Sequence, residues 1–230
     1  ALRAADPRNC IARFMRLDDN LLCFADREYP LDQLDRIVVI GAGKATPAMA
    51  DAAEDILGDL INSGAICTKY GHRLPLARVV TTECGHPLPD QAGVEGTERI
   101  LDQLSGLTER SLVLALFSGG GSALMPAPAP GITLVEKQAT TSALLGCGAT
   151  IDEINTVRKH LSRTKGGLLA RLAKPSKLVC LLLSDVVGDP LDAIASGPTH
   201  PDPTTFADCL ELVDQYGIAN LLPQAVRHRL

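Results

Sequence analysis

An α/β fold, a doubly wound and mostly parallel sheet with helices on both faces, is what this 230-residue sequence predicts, and three observations predict it. Short β-rich runs alternate with longer helical patterns. The runs are apolar throughout, as suits strands buried on both faces of a parallel sheet. The composition is aliphatic, 46% hydrophobic with only 3% aromatic residues and no tryptophan, which fits α/β layering. Alternating strand and helix signals are the pattern of βαβ units. A chain of 230 residues can bury a substantial core as a single domain, 1–230.

Ile37-Val38-Val39-Ile40 is the first predicted strand, and the turn Gly41-Ala42-Gly43-Lys44-Ala45 leads from it into an alanine-rich helix over 46–57. Ala65-Ile66-Cys67-Thr68 and Arg78-Val79-Val80-Thr81 are the next two strands, followed by a 3.6-period pattern over 91–104. The apolar run 112–117 is the fourth strand and empties into Ser118-Gly119-Gly120-Gly121-Ser122. Pro126-Ala127-Pro128-Ala129-Pro130-Gly131 is a stiff connector to helices over 134–145 and 151–161. The fifth strand, 178–183, runs into Ser184-Asp185-Val186-Val187-Gly188-Asp189, and a last helix spans 205–216.

In such a sheet, ligands sit beyond the carboxyl ends of the strands. Three of those ends are unusual here: two glycine turns and one acidic loop, which would converge on one crevice. Glycines at 119–121 let the backbone bring its N–H groups close to an anion, and Ser118 and Ser122 add hydroxyls. A helix starting near Ser122 would favour the same anion. The alternative is a flexible turn that only caps a strand.

Gly41-Ala42-Gly43-Lys44 resembles the start of a dinucleotide turn, but Thr46 stands at the sixth position of G-x-G-x-x-G, and no P-loop pattern is present. What remains is Lys44 at a strand end, a cation for phosphate or carboxylate, or else a solvated surface lysine. Asp185 and Asp189 could give oxygen ligands to Mg²⁺ or a base to a hydroxyl, or one of them could cap the next segment. Residues 150–176 hold six basic side chains (Arg158, Lys159, Arg163, Lys165, Arg171, Lys174) against Asp152 and Glu153, so anions should be drawn there. On the helix over 151–161, Ile151, Ile154, Val157 and Leu161 form the expected buried stripe, with Asn155, Arg158 and Ser162 along its edge. Lys165-Gly166-Gly167 is a further candidate cradle, and a solvated basic face is the alternative. His86, between Gly85 and Pro87, is either an acid or base or a residue that orients a turn.

Composition narrows the function classes. The formal net charge of −5 gives no basic footprint for nucleic acid. Seven cysteines, odd in number and without C-x-x-C, read as reduced thiols in a cytoplasmic protein. Five histidines lack zinc-ligand spacing. No apolar run approaches the roughly 20 residues that cross a bilayer, and the acidic, arginine-broken start is not expected to be a leader. G-x-S-x-G is missing, so a hydrolase triad has little support.

Val39-Ile40-Gly41-Ala42-Gly43-Lys44-Ala45, the 118–124 loop, Asn155-Thr156-Val157-Arg158-Lys159-His160-Leu161-Ser162 with Lys165-Gly166-Gly167, and Ser184-Asp185-Val186-Val187-Gly188-Asp189 with Ile194-Ala195-Ser196-Gly197-Pro198-Thr199 resemble, in order, the signatures of the class II glycerate 2-kinases. The resemblance covers nearly the whole chain and corresponds to that family's N-terminal, Rossmann-like domain. It implies ATP- and Mg²⁺-dependent phosphorylation of D-glycerate to 2-phosphoglycerate. It also implies catalytic roles for Lys44, Asp185 and Arg158; phosphate or substrate contacts at Gly41, Gly43, Ser118, Gly119, Gly120, Gly121, Ser122, Asn155 and Lys165; and Mg²⁺ at Asp185 and Asp189. The family's second, cleft-closing domain is expected beyond Leu230, and a homodimer is the candidate assembly. Because such proteins are often labelled hydroxypyruvate reductases, an NAD(P)H-dependent reductase is one alternative, and a non-catalytic nucleotide- or anion-binding module is another.

Overall fold

The structure, a computed structural model, describes residues 6–230. The very start of the chain, which bears on the leader expectation, lies outside the described residues. Helix α1 (Pro7–Phe14) opens with Asp6 accepting from the Arg8 N–H and Pro7 in the first turn. An antiparallel meander follows: β1 (Met15–Asp18), β2 (Leu21–Phe24) and β3 (Arg27–Pro30), joined by two-residue turns. Neither α1 nor the meander is expected from the sequence. Their strands are four residues each and too short for a periodic signal, although Ile11, Met15, Leu22 and Phe24 all join the core.

The five predicted strands form one all-parallel sheet. They are β4 (Arg36–Ala42), β5 (Ile61–Lys69), β6 (Val79–Cys84), β7 (Ser111–Ser118) and β8 (Lys177–Leu183), in the order β6-β5-β4-β7-β8. The chain steps outward from β4 to β6, then returns past β4 to β7 and β8. The order therefore reverses between β4 and β7, the switch point at which α/β sheets bind ligands. Ile40 pairs with Ala65 on one side and Ala115 on the other, and every residue of β7 is buried.

One face of the sheet packs against α1, the meander and α2 (Thr46–Leu57) through residues such as Val39, Leu114, Met49 and Ala53. The other face packs Val38, Ile40, Val113 and Phe117 against Ile100 of α3 (Gln91–Asp102), Leu124 of α4 (Gly121–Leu124) and Leu169 of α7 (Leu168–Leu172). A third core joins α5 (Leu134–Gly146), α6 (Ile151–His160), α8 (Phe206–Gln215) and α9 (Gln224–Arg229). Reciprocal caps fix where three of these begin: Thr133 with Glu136, Thr150 with Glu153, and Thr205 with Asp208. The predicted stripe of α6 needs one correction, because Ile151 is 63% exposed while Ile154, Val157 and Leu161 are buried. Ile151 stands in the first turn, just after the Thr150 cap, before the helix reaches its neighbours.

Candidate functional site

The ends of β4 and β7 are fastened together below the crevice. A β-carbon on Gly41 would strike the Leu116 carbonyl, and one on Gly43 would strike Ser118. The Gly43 N–H is spent on the Cys67 carbonyl at 3.1 Å. Ser118 is 1% exposed, and its Oγ accepts from the Ala45 N–H at 3.0 Å and lies 3.2 Å from Thr46 Oγ1. Gly41, Gly43 and Ser118, expected as ligand contacts, therefore serve to bring two strand ends close. The position a third dinucleotide glycine would take is filled by Thr46, fully buried, whose Oγ1 also reaches the Leu116 carbonyl at 3.4 Å.

Above this strap, residues 119–122 meet a different neighbour at each step. The Lys44 N–H donates to the Gly119 carbonyl at 3.0 Å, which anchors Lys44 to the loop while its side chain stays exposed. The Asp185 carboxylate, from the loop after β8, occupies the space a Gly119 β-carbon would need. At Gly120, with φ of 87°, that space is taken by the His86 imidazole at 2.9 Å, with Lys44 Cε at 3.4 Å. Burial first, then the Lys44 and Lys69 ammonium groups, hold His86 below its ordinary value, while Asp185 pulls it the other way. Among the described residues, no acceptor within the chain meets the N–H of Gly119 or Gly120. Those of Gly121 and Ser122 open the first turn of α4, where no helical carbonyl precedes them.

Ser122 is the junction with a set of cations. Its Oγ accepts from Arg158 Nη2 at 2.8 Å and lies 2.7 Å from Ser196 Oγ, which in turn donates to Asn155 Oδ1 at 3.4 Å. Its carbonyl accepts from Lys165 Nζ at 2.8 Å. Lys165 is 1% exposed, and burial, reinforced by Lys137 and Arg158, holds its ammonium well below the ordinary lysine value. Burial alone lowers Arg158. Lys137 of α5 is 6% exposed with no partner for Nζ among the described residues, and burial followed by the charge of Arg158 lowers it to about 7. Sequence reasoning misses Lys137. The signal lies in α5 itself, whose buried residues are Lys137, Thr140 and Leu144, a lysine on the inward stripe at i, i+3 and i+7.

The basic excess of 150–176 divides. Arg158 and Lys165 go to the crevice, whereas Lys159 pairs with Asp202 at 3.4 Å and Asp192 at 3.6 Å, and Arg163 pairs with Glu98 at 2.6 Å. Gly166 and Gly167 form no cradle, because their N–H groups donate to the Ser196 and Gly197 carbonyls at 3.1 and 2.8 Å. That turn instead holds Ser196 under Ser122. Asp189 is exposed, four residues beyond Asp185, and its N–H closes a turn on the Val186 carbonyl at 3.1 Å. Among the described residues, no group of three or more His, Cys, Asp or Glu side chains is placed to hold a metal by itself. Cys23, Cys67, Cys84, Cys147, Cys180 and Cys209 are free thiols, and no described helix is long and apolar enough to cross a membrane.

Residues 1–230 match the family model described as a domain of unknown function, DUF4147. An Agrobacterium vitis protein named "putative hydroxypyruvate reductase" is 50% identical over 192 residues, 84% of this chain and 43% of that protein. The D-glycerate 2-kinase of Thermotoga maritima is 49% identical over 190 residues, 82% of this chain and 46% of that protein. A crystal structure of a Pyrococcus horikoshii protein has a TM-score of 0.94 at 42% identity, covering 99% of this chain and 51% of that one. The chain spans about half the length of these relatives. With the sheet order, the crevice and the match along its whole length, this chain belongs to the DUF4147 family, the family of the glycerate 2-kinases.

Proposed function

We propose that this chain carries the crevice of a glycerate 2-kinase, in which D-glycerate attacks ATP through its 2-hydroxyl to give 2-phosphoglycerate and ADP. The observation that carries the reading is the 119–122 loop at the switch point, where among the described residues the Gly119 and Gly120 N–H groups have no acceptor within the chain, with Lys44 and Asp185 on one side and Arg158 and Lys165 on the other. Phosphoryl transfer needs little covalent help from the protein. It needs positioning and a way to neutralise charge spread over the transferred group. Gly119, Gly120, Gly121 and Ser122 would receive a phosphate or carboxylate, and Asn155 holds the Ser196 hydroxyl that backs Ser122. Lys44, an exposed cation on a flexible four-carbon stem, would follow the phosphoryl group as it moves. Asp185 would accept the proton of the 2-hydroxyl as its oxygen bonds to the terminal phosphorus and ADP leaves.

The donor set also fits Mg²⁺. This ion is usually held by one or two carboxylates together with substrate phosphates, so Asp185, with Asp189 as the second candidate, suffices without a larger cluster. When bound, Mg²⁺ supplies positive charge to the phosphate oxygens. Residues 1–230 would form one domain and one wall of the cleft, working in the cytoplasm on small molecules.

The name of the Agrobacterium vitis relative favours a reductase. Hydride transfer would need a nicotinamide dinucleotide on the 41–46 turn, where the Gly43, Lys44 and Ala45 N–H groups are already bonded within the chain and buried Thr46 stands in place of the third glycine. The deciding experiment is a coupled assay on the natural full-length protein. Glycerate-dependent ADP release with 2-phosphoglycerate as product is expected. NADH oxidation with hydroxypyruvate and no glycerate-dependent ADP would overturn the kinase reading.

A further inference from the structure

The cluster of Lys137, Arg158 and Lys165 is electrically incomplete. The charges acting on it are its own members: Arg158 acts on Lys137, and Lys137 and Arg158 act on Lys165. Lys137 faces Arg158 from α6 and Lys165 from the segment after α6. Its acidic neighbour on α5, Glu136, is turned to the N-cap, where it accepts from the Thr133 N–H and hydroxyl at 2.8 Å each. Arg158 and Lys165 each spend a donor on Ser122, whereas Lys137 Nζ is buried with none. A buried ammonium without a partner is among the costliest groups a fold can keep. A methionine or leucine would fill the stripe of α5 at no such cost. An anionic oxygen entering beside Ser122 would supply the charge that all three cations lack.

We propose that Lys137 is a ligand-binding residue of the crevice, which together with Arg158 holds a carboxylate or phosphoryl oxygen arriving at Ser122. The inference deepens the kinase reading and rests on it for the class of ligand, a small organic anion. Its consequence is a proton linkage. Without ligand, Lys137 titrates near 7, so part of the population is neutral at physiological pH. An anion beside it favours the charged form, so binding takes up a proton and affinity falls as pH rises above 7.

The test is calorimetric titration of the natural full-length protein and of its Lys137→Met variant, with D-glycerate and with ATP in separate arms, at pH 6.5 and 8.5 in buffers of different ionisation enthalpy. The expected result is a loss on the order of ten- to a hundredfold in affinity for one of the two ligands, the size of one charged hydrogen bond. Proton uptake should vanish with it. A loss confined to D-glycerate assigns the cluster to the carboxylate, and one confined to ATP assigns it to a phosphate. The ligand-free variant should melt higher than the parent, which a purely structural lysine would not allow. Should the methionine variant fail to fold, Lys137→Gln carries the same readout. Unchanged affinity for both ligands, proton uptake that persists in the variant, or no binding of either ligand by the parent would overturn the proposal. D-glycerate binding that depends on Lys137 in a protein without glycerate-dependent ADP release would sink the kinase reading and leave this one standing.

Discussion

The two flanks of the crevice keep their charges in opposite ways. Lys44 and Asp185 stand at strand ends in water, with half-buried His86 between them, and their positions follow from backbone turns. Lys137, Arg158 and Lys165 come from helices and their connections, are drawn inward, and meet no carboxylate among the described residues. Exposed charge costs little to hold and can change partner during a reaction. Buried charge of one sign costs a great deal, and it repays that cost only when something negative arrives. The first flank is suited to chemistry and the second to capture.

Substitutions can separate the two. Asp185→Asn should lower turnover of the full-length protein by about two to four orders of magnitude, the usual contribution of a positioned base, while leaving D-glycerate affinity in place. Steady-state kinetics beside calorimetry checks this, and an equal loss in binding would erase the distinction between the flanks. Lys44→Ala should cost about a hundred- to a thousandfold in turnover, as expected for a donor that acts on developing charge, and little loss would remove Lys44 from the mechanism. Gly119→Ala drives a β-carbon into the Asp185 carboxylate, and a displacement of about 1 Å there should reduce turnover roughly a hundredfold with the fold intact by circular dichroism.

On the capture flank the effects fall on stability. The folded-state value of Lys137, about 7, lies below the 10.5 of an unperturbed lysine, so the unfolded chain binds the extra proton between those limits. The stability difference between Lys137→Met and the parent should therefore be largest below pH 7 and shrink as pH climbs toward 10.5. Denaturant titrations along that range would show it, and a pH-independent difference would contradict it. Ser122→Ala should cost the least, about 1 kcal/mol, because Arg158 and Ser196 each lose one partner at a half-buried site.

The sheet was legible because its strands are buried on both faces, so apolar runs such as 112–117 carry the whole signal. The meander was not, because residues such as Arg16 and Glu28 break its short strands and its burial comes from docking on the sheet. The chemistry flank could be read from strand ends, a position that fold class alone makes informative. Gly41, Gly43, Gly166 and Gly167 show the limit of that reading: a glycine that permits close approach of two protein segments leaves the same mark in a sequence as one that permits close approach of a phosphate. Lys137 stayed hidden because whether a helix turns a lysine inward depends on which face its neighbours cover. Here Val135 is 70% exposed and Lys137 is not, the reverse of what their polarity suggests.

The sequence of neighbours along the loop restricts how it could drift. Asp185 fills the missing side chain of Gly119, His86 that of Gly120, and the Ala42 carbonyl that of Gly121. A side chain gained at Gly119 or Gly120 requires a simultaneous loss at Asp185 or His86, and one gained at Gly121 meets a backbone carbonyl that no substitution removes. The loop and the side chains that fill its missing β-carbons can therefore be rewritten only together, as one heritable block, and Arg158 and Lys165 are bound into that block through Ser122.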